Sequence, residues 1–351
     1  MHFITRLASN PSLSTFPLPI GGSLTWHRVN LPDAGGASLW RTSISISDIP
    51  SQHILVPSYA CVSEAYQWQA SAVTNNETSV LAPVCPIHKT PWAGFASANS
   101  ETPALQPKID CWHTLSSIEA LEFELTLFLP HSDAPPDQDL LTFSIRPTDQ
   151  PTAELPTPTF AVRTSQPAPV SQMQADKAIA RRICSPTATV MAVMGSAALS
   201  HWPEVIESCY DPNTKAYGKW PLATYWASQQ GVLGSVEALW QWDDALAVLE
   251  AGQPIVCSIR FAKDQLPGTP QEQSGGHLLV LYGIEFIDEE GFALVMDPAG
   301  ADTDEVPRRY PLVAFTQAWL NHRGAAYLFS TEPQSQNDSD PDLSRATTRG
   351  H

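Results

Sequence analysis

The segment Cys184-Ser-Pro-Thr-Ala-Thr-Val-Met-Ala-Val-Met194 decides the fold of the C-terminal half of this chain. Pro186 suits the first turn of a helix, because its missing N–H would have no partner there, and Ser185 just before it is a competent N-cap. Apolar residues then recur at helical spacing until Gly195, which is typical of a helix end. The sequence therefore predicts a buried helix that begins beside Cys184.

Cys184 is predicted to lie at the N-terminus of this helix, the position at which a helix lowers the pKa of a thiol. The positive end of the helix dipole lowers the thiol pKa, and free backbone N–H groups in the first turn stabilise an oxyanion beside it. We interpret Cys184 as a candidate nucleophile, the alternative being a small buried hydrophobe. Cys209 and Cys257 are predicted to be structural, since Cys257 lies in an apolar run and Cys209 has no base near it in sequence.

Three short apolar runs, residues 254–261, 277–284 and 292–296, predict neighbouring strands of one sheet. If the second and third are antiparallel, the start of one lies opposite the end of the other, and His277 meets Asp297. A carboxylate there fixes the imidazole tautomer while the other ring nitrogen faces the thiol. A histidine among apolar residues is by itself usually a satisfied core group, so the predicted catalytic triad depends on the combination and its chain order.

The segment from about Val170 to Phe329 resembles the bacterial cysteine peptidase-like domains related to the bacteriocin-processing, double-glycine-leader peptidases, family thirty-nine of the cysteine peptidases. The motifs that carry the resemblance are Ser171-Gln-Met173, Ile183-Cys-Ser-Pro-Thr187, Tyr217-Gly-Lys-Trp-Pro221, Gly252-Gln-Pro-Ile-Val256, Gly276-His-Leu-Leu279, Asp297-Pro-Ala299 and Phe315-Thr-Gln-Ala-Trp-Leu320. The resemblance implies a papain-like α+β domain, a helix packed on an antiparallel sheet, whose triad is Cys184, His277 and Asp297.

The sequence departs from the papain-like pattern at the oxyanion hole. Such enzymes place a glutamine a few residues before the cysteine, but residues 177–183 contain none. Gln172, in the Ser-Gln-Met motif, is the best candidate, with an inserted loop between it and the helix, and Gln174 is second. Losing one oxyanion donor costs on the order of a hundredfold in turnover, so the position of this glutamine bears on activity.

Two further features are predicted for this half. Trp220, in the Tyr-Gly-Lys-Trp-Pro motif, is a candidate for lining a substrate groove, with core packing an equal alternative. Residues 235–249 carry apolar side chains on one side and predict an amphipathic helix that covers the sheet and leaves Asp243 and Asp244 in water.

The N-terminal half has a different pattern. Residues 121–129 alternate apolar and polar side chains, and weaker alternation recurs between turn signals, which predicts an all-β sandwich of jelly-roll type. We predict this domain over residues 1–147, a Pro/Thr-rich linker over 148–169, the peptidase domain over 170–330 and a disordered tail over 331–351. Residues 159–163 are an alternative last strand.

A β-sandwich joined to a hydrolase is often a binding module, here for a carbohydrate or peptide ligand, although fold does not imply function. Trp68 and Trp92 are candidates for binding such a ligand, with core packing as the alternative. Cys85-Pro-Ile-His88 and Cys111-Trp-His113 lack the spacing of a structural zinc site, so we predict no metal. The predicted chemistry needs no metal or organic cofactor.

Composition narrows the partners. The 351 residues support two domains, and the net charge of −17 argues against nucleic acid or an anionic membrane surface as partner. Residues 1–19 lack the features of a secretory signal and no run is long enough for a membrane span, so the expected location is the cytoplasm, with signal-less export left open. The six cysteines are scattered and do not indicate a disulfide framework.

Together these observations predict a cysteine peptidase or related amide hydrolase that acts on a peptide or protein substrate through a thioester acyl-enzyme. The alternative is an inactive peptidase-like protein that binds a glycan or peptide through its N-terminal β domain. The sequence does not separate hydrolysis from acyl transfer, because that depends on whether water or an amine reaches the acyl-enzyme.

Overall fold

The structure is a computed structural model, which describes residues 1–13, 15–30, 37–62, 65–85, 89–148 and 155–330. The predicted disordered tail, residues 331–351, lies outside the described residues, as does part of the predicted linker. Within the described part of the chain, no helix is long and apolar enough to cross a lipid bilayer.

The described residues of the N-terminal half form strands and loops. In chain order they are β1 (Phe3–Ala8), β2 (Gly22–Ser23), β3 (His27–Val29), β4 (Ser38–Ile49), β5 (His53–Cys61), β6 (Gln67–Thr74), β7 (Glu77–Val80), β8 (Leu105–Lys108), β9 (Cys111–Thr114), β10 (Ile118–Leu129) and β11 (Asp139–Pro147). One sheet has the order β2-β1-β11-β5-β9-β8 and the other β3-β4-β10-β6-β7. The strands β1-β11-β5-β9 facing β4-β10-β6-β7 form an antiparallel jelly roll, as the sequence predicts.

The sandwich core follows from the period-two pattern. Along β10, Leu121, Phe123 and Leu125 are buried while Glu122 points outward. These side chains pack against residues of the facing sheet such as Phe143. Full burial of each large apolar side chain stabilises the fold by about 1.5–3 kcal/mol, so the alternation holds the sheets face to face.

The C-terminal half combines helices with a third sheet. Its elements are β12 (Val162–Arg163), α1 (Cys184–Met194), α2 (Ala198–Ser208), α3 (Trp220–Gln229), β13 (Gly234–Ala238), α4 (Trp242–Glu250), β14 (Ile255–Phe261), β15 (Ser274–Ile287), β16 (Glu290–Met296), β17 (Pro307–Pro311), α5 (Leu312–Trp319) and β18 (Ala325–Phe329). The sheet order is β13-β18-β14-β15-β16-β17, and β12 pairs with β15. Helices α1, α2 and α3 cover one face and α4 and α5 the other. The predicted α+β class is confirmed.

Two local predictions are wrong. The helix predicted from residue 235 begins only at Trp242, because residues Gly234–Ala238 form β13, whose backbone pairs antiparallel with β18. The N-cap of α1 is Ile183 rather than Ser185, although the helix does begin at Cys184. The Ser185 hydroxyl instead lies 3.2 Å from the Tyr327 hydroxyl on the sheet.

The two halves share polar contacts. Arg6 of β1 pairs with Glu237 at 2.7 Å and with Asp244 at 2.8 Å, so Asp244 is not simply in water as predicted. Buried Arg146 of β11 donates to the carbonyl oxygens of Leu239 and Leu320. The predicted domain boundaries stay a prediction.

Candidate active site

Cys184 is the first residue of α1 and is half-buried. The helix is anchored behind it, since the Thr187 backbone N–H donates to the Ile183 carbonyl at 3.1 Å and the Thr187 hydroxyl donates to the same oxygen at 2.7 Å. Its first turn is held on the sheet by the contact between Ser185 and Tyr327. The thiol therefore lies at the positive end of a helix dipole, on a rigid support.

His277 and Asp297 are brought together by strand pairing. Strands β15 and β16 are antiparallel, with Val280 opposite Met296, so the start of β15 and the residue that follows β16 lie at the same end of the sheet. His277 Nε2 is 2.7 Å from Asp297 Oδ1. The two side chains are 2% and 0% exposed, so this contact is closed to bulk water.

The thiol joins this pair. Cys184 and His277 share a side-chain hydrogen bond, and because Nε2 contacts Asp297, Nδ1 is the ring nitrogen left for the thiol. The structure thus brings all three predicted triad residues into one chain of contacts.

The electrostatics favour a thiolate–imidazolium pair. Burial by itself raises the pKa of Cys184, but the hydrogen bond and positive charge of His277 outweigh it and lower that pKa overall. Burial alone lowers the pKa of His277, but the charge and hydrogen bond of Asp297, helped by Cys184, raise it. Burial raises the pKa of Asp297, and His277 more than offsets this, so that pKa is lowered. All three shifts stabilise the charged forms.

Other cysteines behave differently. Burial raises the pKa of Cys209 to about 12 and that of Cys257 well above its usual value. Burial also raises the pKa of Cys85 to about 11 and that of Cys111 to about 12. These four thiols are poor nucleophiles near neutral pH, whereas Cys184 has a base beside it.

Gln172 lies next to the triad despite its distance in sequence. It begins a short 3-10 turn, Gln172–Gln174, and is 2% exposed. Its backbone N–H donates to the carbonyl of Pro298, the residue after Asp297, at 2.8 Å. The preceding Ser171 hydroxyl donates to the Gly300 carbonyl at 2.6 Å. The segment is therefore fixed to the loop that follows the predicted triad acid.

The Gln172 side chain is partly engaged. Its Nε2 donates at 2.8 Å to the carbonyl of Ala180, which begins the short turn before α1. Its Oε1 is buried and has no hydrogen-bond partner among the described residues. Gln174, by contrast, is exposed. The inserted residues 173–183 thus fold back on Gln172 and accept from its amide group; the oxyanion role of Gln172 stays a prediction.

Trp220 is half-buried at the edge of the candidate domain's core. It begins α3, and its half-buried ring packs against the apolar core beneath α1, α2 and α3. Its backbone N–H donates to Asp110 Oδ2 of the N-terminal half at 3.2 Å. A cavity of about 770 Å³ between the halves includes Lys219 and Pro221 in its lining but not Trp220. The ring thus packs against this core, and a place for Trp220 in a substrate groove stays a prediction.

Sequence reasoning missed the residues that hold Asp297. Its Oδ1 accepts the Ala299 backbone N–H at 2.9 Å, and its Oδ2 accepts the Tyr310 hydroxyl at 2.5 Å. Ala299 is part of the Asp-Pro-Ala motif, so local spacing indicates it. Tyr310 comes from β17, and no spacing rule connects the two positions.

The candidate ligand-binding and metal-binding residues of the N-terminal half do not form a comparable cluster among the described residues. Trp68 is 2% exposed and belongs to the sandwich core, whereas half-buried Trp92 stacks on Phe128 with ring centres 5.8 Å apart. No group of three or more His, Cys, Asp or Glu side chains able to hold a metal occurs among the described residues, and His88 lies outside them. A ligand for this half stays a prediction.

The triad-like geometry coincides with a family match. Residues 166–327 match the Peptidase_C39 like family. The resemblance predicted from the motifs is confirmed over these residues, which we call the C39-like domain. No curated protein matches the sequence.

Among solved structures, the chain is similar to digestive procathepsin L 3 of Tenebrio molitor larval midgut at 13% sequence identity and a TM-score of 0.33. The similarity covers 52% of this chain and 74% of that chain.

Proposed function

We propose that this protein is a cysteine peptidase or related amide hydrolase in which Cys184 is the nucleophile, His277 the acid–base and Asp297 the residue that orients His277. The observation that carries the proposal is the chain of contacts from Cys184 through His277 to Asp297, with a 2.7 Å Nε2–Oδ1 distance, at the start of a helix. The match to the Peptidase_C39 like family supports a peptidase-type domain.

Acylation begins with the Cys184 thiolate. Sγ attacks the substrate carbonyl carbon, a C–S bond forms and the carbonyl electron pair moves onto oxygen. The His277 imidazolium then gives its Nδ1 proton to the amide nitrogen as the C–N bond breaks and the amine leaves. Asp297 holds the ring by Nε2 throughout, so that Nδ1 stays directed at the reacting atoms. The product of this step is a thioester.

Deacylation returns the enzyme. His277, now neutral, removes a proton from water, the oxygen attacks the thioester carbonyl, and the C–S bond breaks to release a carboxylic acid and the thiolate. An incoming amine in place of water would give acyl transfer by the same route. The triad serves both reactions.

The oxyanion of both steps needs hydrogen-bond donors. We assign the backbone N–H of Cys184 and the free Nε2 N–H of Gln172, because the Gln172 segment is bound both to the loop after Asp297 and to the turn before Cys184. The acceptor for its second amide proton is then the substrate oxygen itself.

The substrate we propose is a peptide or protein. The net charge of −17 favours neutral or basic segments over acidic ones. A thiolate nucleophile functions more readily in a reducing compartment, and on that ground we propose that the protein acts in the cytoplasm.

Covalent labelling by a peptide that carries a thiol-reactive warhead tests the proposal. The wild-type chain is expected to be labelled at Cys184, the Cys184→Ala variant to lose the label, and the Cys209→Ala variant to keep it. Equal labelling of the Cys184→Ala variant overturns the assignment. If the wild-type chain is not labelled and the full chain binds a glycan or peptide, the inactive binding protein is favoured instead.

A further inference from the structure

We infer that Tyr310 is a positioning residue of the triad, which holds Asp297 in the orientation that His277 requires. The inference rests on the proposed function and deepens it. Tyr310 touches neither the thiol nor the site of the scissile bond, and it acts through the carboxylate of Asp297.

The geometry divides the two carboxylate oxygens of Asp297 between different partners. Oδ1 meets His277 Nε2 at 2.7 Å and the Ala299 backbone N–H at 2.9 Å. Oδ2 accepts the Tyr310 hydroxyl at 2.5 Å. Rotation of the carboxylate about its Cβ–Cγ bond would break contacts at both oxygens. The hydroxyl therefore determines which oxygen faces His277.

Tyr310 is itself held firmly. It lies on β17 opposite Ala293 of β16, and its side chain is fully buried in the core that includes α4 and α5. Its hydroxyl also shares a hydrogen bond with the Thr269 side chain. The carbonyl of Gly268, the residue before Thr269, accepts a hydrogen bond at 2.9 Å from Arg308. This bond fixes the loop that carries Thr269 beside the Tyr310 ring. An oxygen that accepts from Thr269 has its own proton free for Asp297.

The hydroxyl also matters for the charge of Asp297. An ionised carboxylate that is 0% exposed is costly unless several donors surround it. His277 supplies the largest compensation, and Tyr310 and Ala299 supply the next. Burial and the neighbouring Asp297 raise the pKa of Tyr310, so the hydroxyl keeps its proton throughout the pH range in which the triad works.

Removing the hydroxyl should narrow the pH range of the activated thiol. Without a donor at Oδ2, the pKa of Asp297 rises, so it becomes protonated at a higher pH and no longer supports the imidazolium. The acid limb of Cys184 reactivity then moves up by about one pH unit, the effect of one hydrogen bond to a charged group.

The experiment measures the rate of Cys184 alkylation by iodoacetamide against pH in the full chain, by mass spectrometry of the Cys184 peptide. The variants are Tyr310→Phe, Tyr282→Phe as matched control, Asp297→Asn, and the double variant Tyr310→Phe with Asp297→Asn. Tyr282 is a buried tyrosine of β15 whose hydroxyl contacts Arg163 rather than Asp297. We expect Tyr310→Phe to move the acid limb of the profile up, Tyr282→Phe to leave it unchanged, and the double variant to match Asp297→Asn.

Three results overturn this role. The first is an unmoved profile in Tyr310→Phe with only a lower melting temperature, which would make the side chain a packing residue. The second is a further shift of equal size in the Asp297→Asn background, since the effect would then not pass through Asp297. The third is a wild-type Cys184 that alkylates with the pH dependence of a free thiol and shows no change in the His277→Ala variant. That result overturns the proposed function as well, whereas the first two overturn the role of Tyr310 alone.

A second variant covers the case in which Tyr310→Phe does not fold. Thr269→Val removes the hydroxyl partner of Tyr310 from a half-exposed loop position. It removes the donor to the Tyr310 oxygen and so makes the Tyr310 hydroxyl a weaker donor to Asp297, so the acid limb should move up by about half a pH unit. An unmoved limb in a folded Thr269→Val protein also overturns the inference.

Discussion

Asp297→Asn separates the charge of the predicted triad acid from its shape. The asparagine amide is nearly isosteric with the carboxylate, and its oxygen can still accept from His277 Nε2 and the Ala299 N–H, as Oδ1 does now at 2.7 and 2.9 Å. Its NH₂ group then faces Tyr310, whose oxygen can accept. The substitution therefore removes the negative charge and keeps the ring in place.

The size of the effect follows from this contact. A hydrogen bond to a charged partner is worth about 1.5–3 kcal/mol, and one pKa unit corresponds to about 1.36 kcal/mol, so the His277 pKa should fall by about one to two units. Asp297 raises the pKa of His277 in the folded protein, so the charged imidazolium persists as pH rises until that pKa is passed. With the charge gone, this upper limit moves to lower pH.

The assay is the pH dependence of kcat/KM on a peptide substrate, alongside alkylation of Cys184. We expect the upper limb of the kcat/KM profile to move down by about one to two pH units and the rate at neutral pH to fall by about 10- to 100-fold. A variant with an unchanged upper limb would refute the argument that the charge of Asp297 stabilises the imidazolium. Circular dichroism and the melting temperature show whether the variant is folded.

Three other changes test separate parts of the structure. Gln172→Ala should lower kcat by roughly 10²- to 10³-fold without changing Cys184 alkylation, while Gln174→Ala changes neither, and equal losses in both would remove Gln172 from the oxyanion hole. Arg6→Met should lower the free energy of unfolding in urea by about 3–5 kcal/mol, because it leaves fully buried Glu237 unpaired, and a loss below about 1 kcal/mol would contradict this. Burial raises the pKa of Asp110 to about 7, so stability should fall as pH rises from about 4 to 7, and Asp110→Asn should flatten that slope in urea titrations; an unchanged slope would count against it.

The parts of the fold that sequence reasoning predicted depend on short-range patterns. Strand β10 shows its buried face through alternation over one run, and α1 shows its start through a proline and its end through a glycine. The contact between His277 and Asp297 also reduces to a local rule, because two consecutive antiparallel strands must bring the start of one near the end of the other. Each of these features can be predicted from the residues of one helix, one strand or one hairpin.

Strand β13 shows where this reasoning fails. Val236 and Leu239 have the spacing of a helix face, and nothing within residues 235–249 indicates that the first part pairs with β18, almost a hundred residues later. Glu237 is fully buried there because Arg6 of the N-terminal half pairs with it at 2.7 Å. A carboxylate that looks solvent-facing in sequence is thus an interior residue, and the residue that makes this favourable is far away in the chain.

Contacts between residues that are distant in sequence also shape the candidate site, and sequence reasoning misses them there too. Cys184, His277, Asp297 and Gln172 all belong to motifs. Tyr310, which donates to Asp297 from β17, belongs to none. A triad needs its side chains held within fractions of an ångström, which requires packed neighbours on several sides. Because a folded chain supplies such neighbours from several distant segments at once, the candidate reacting groups can be predicted from sequence, whereas a neighbour such as Tyr310 is found only in the folded structure.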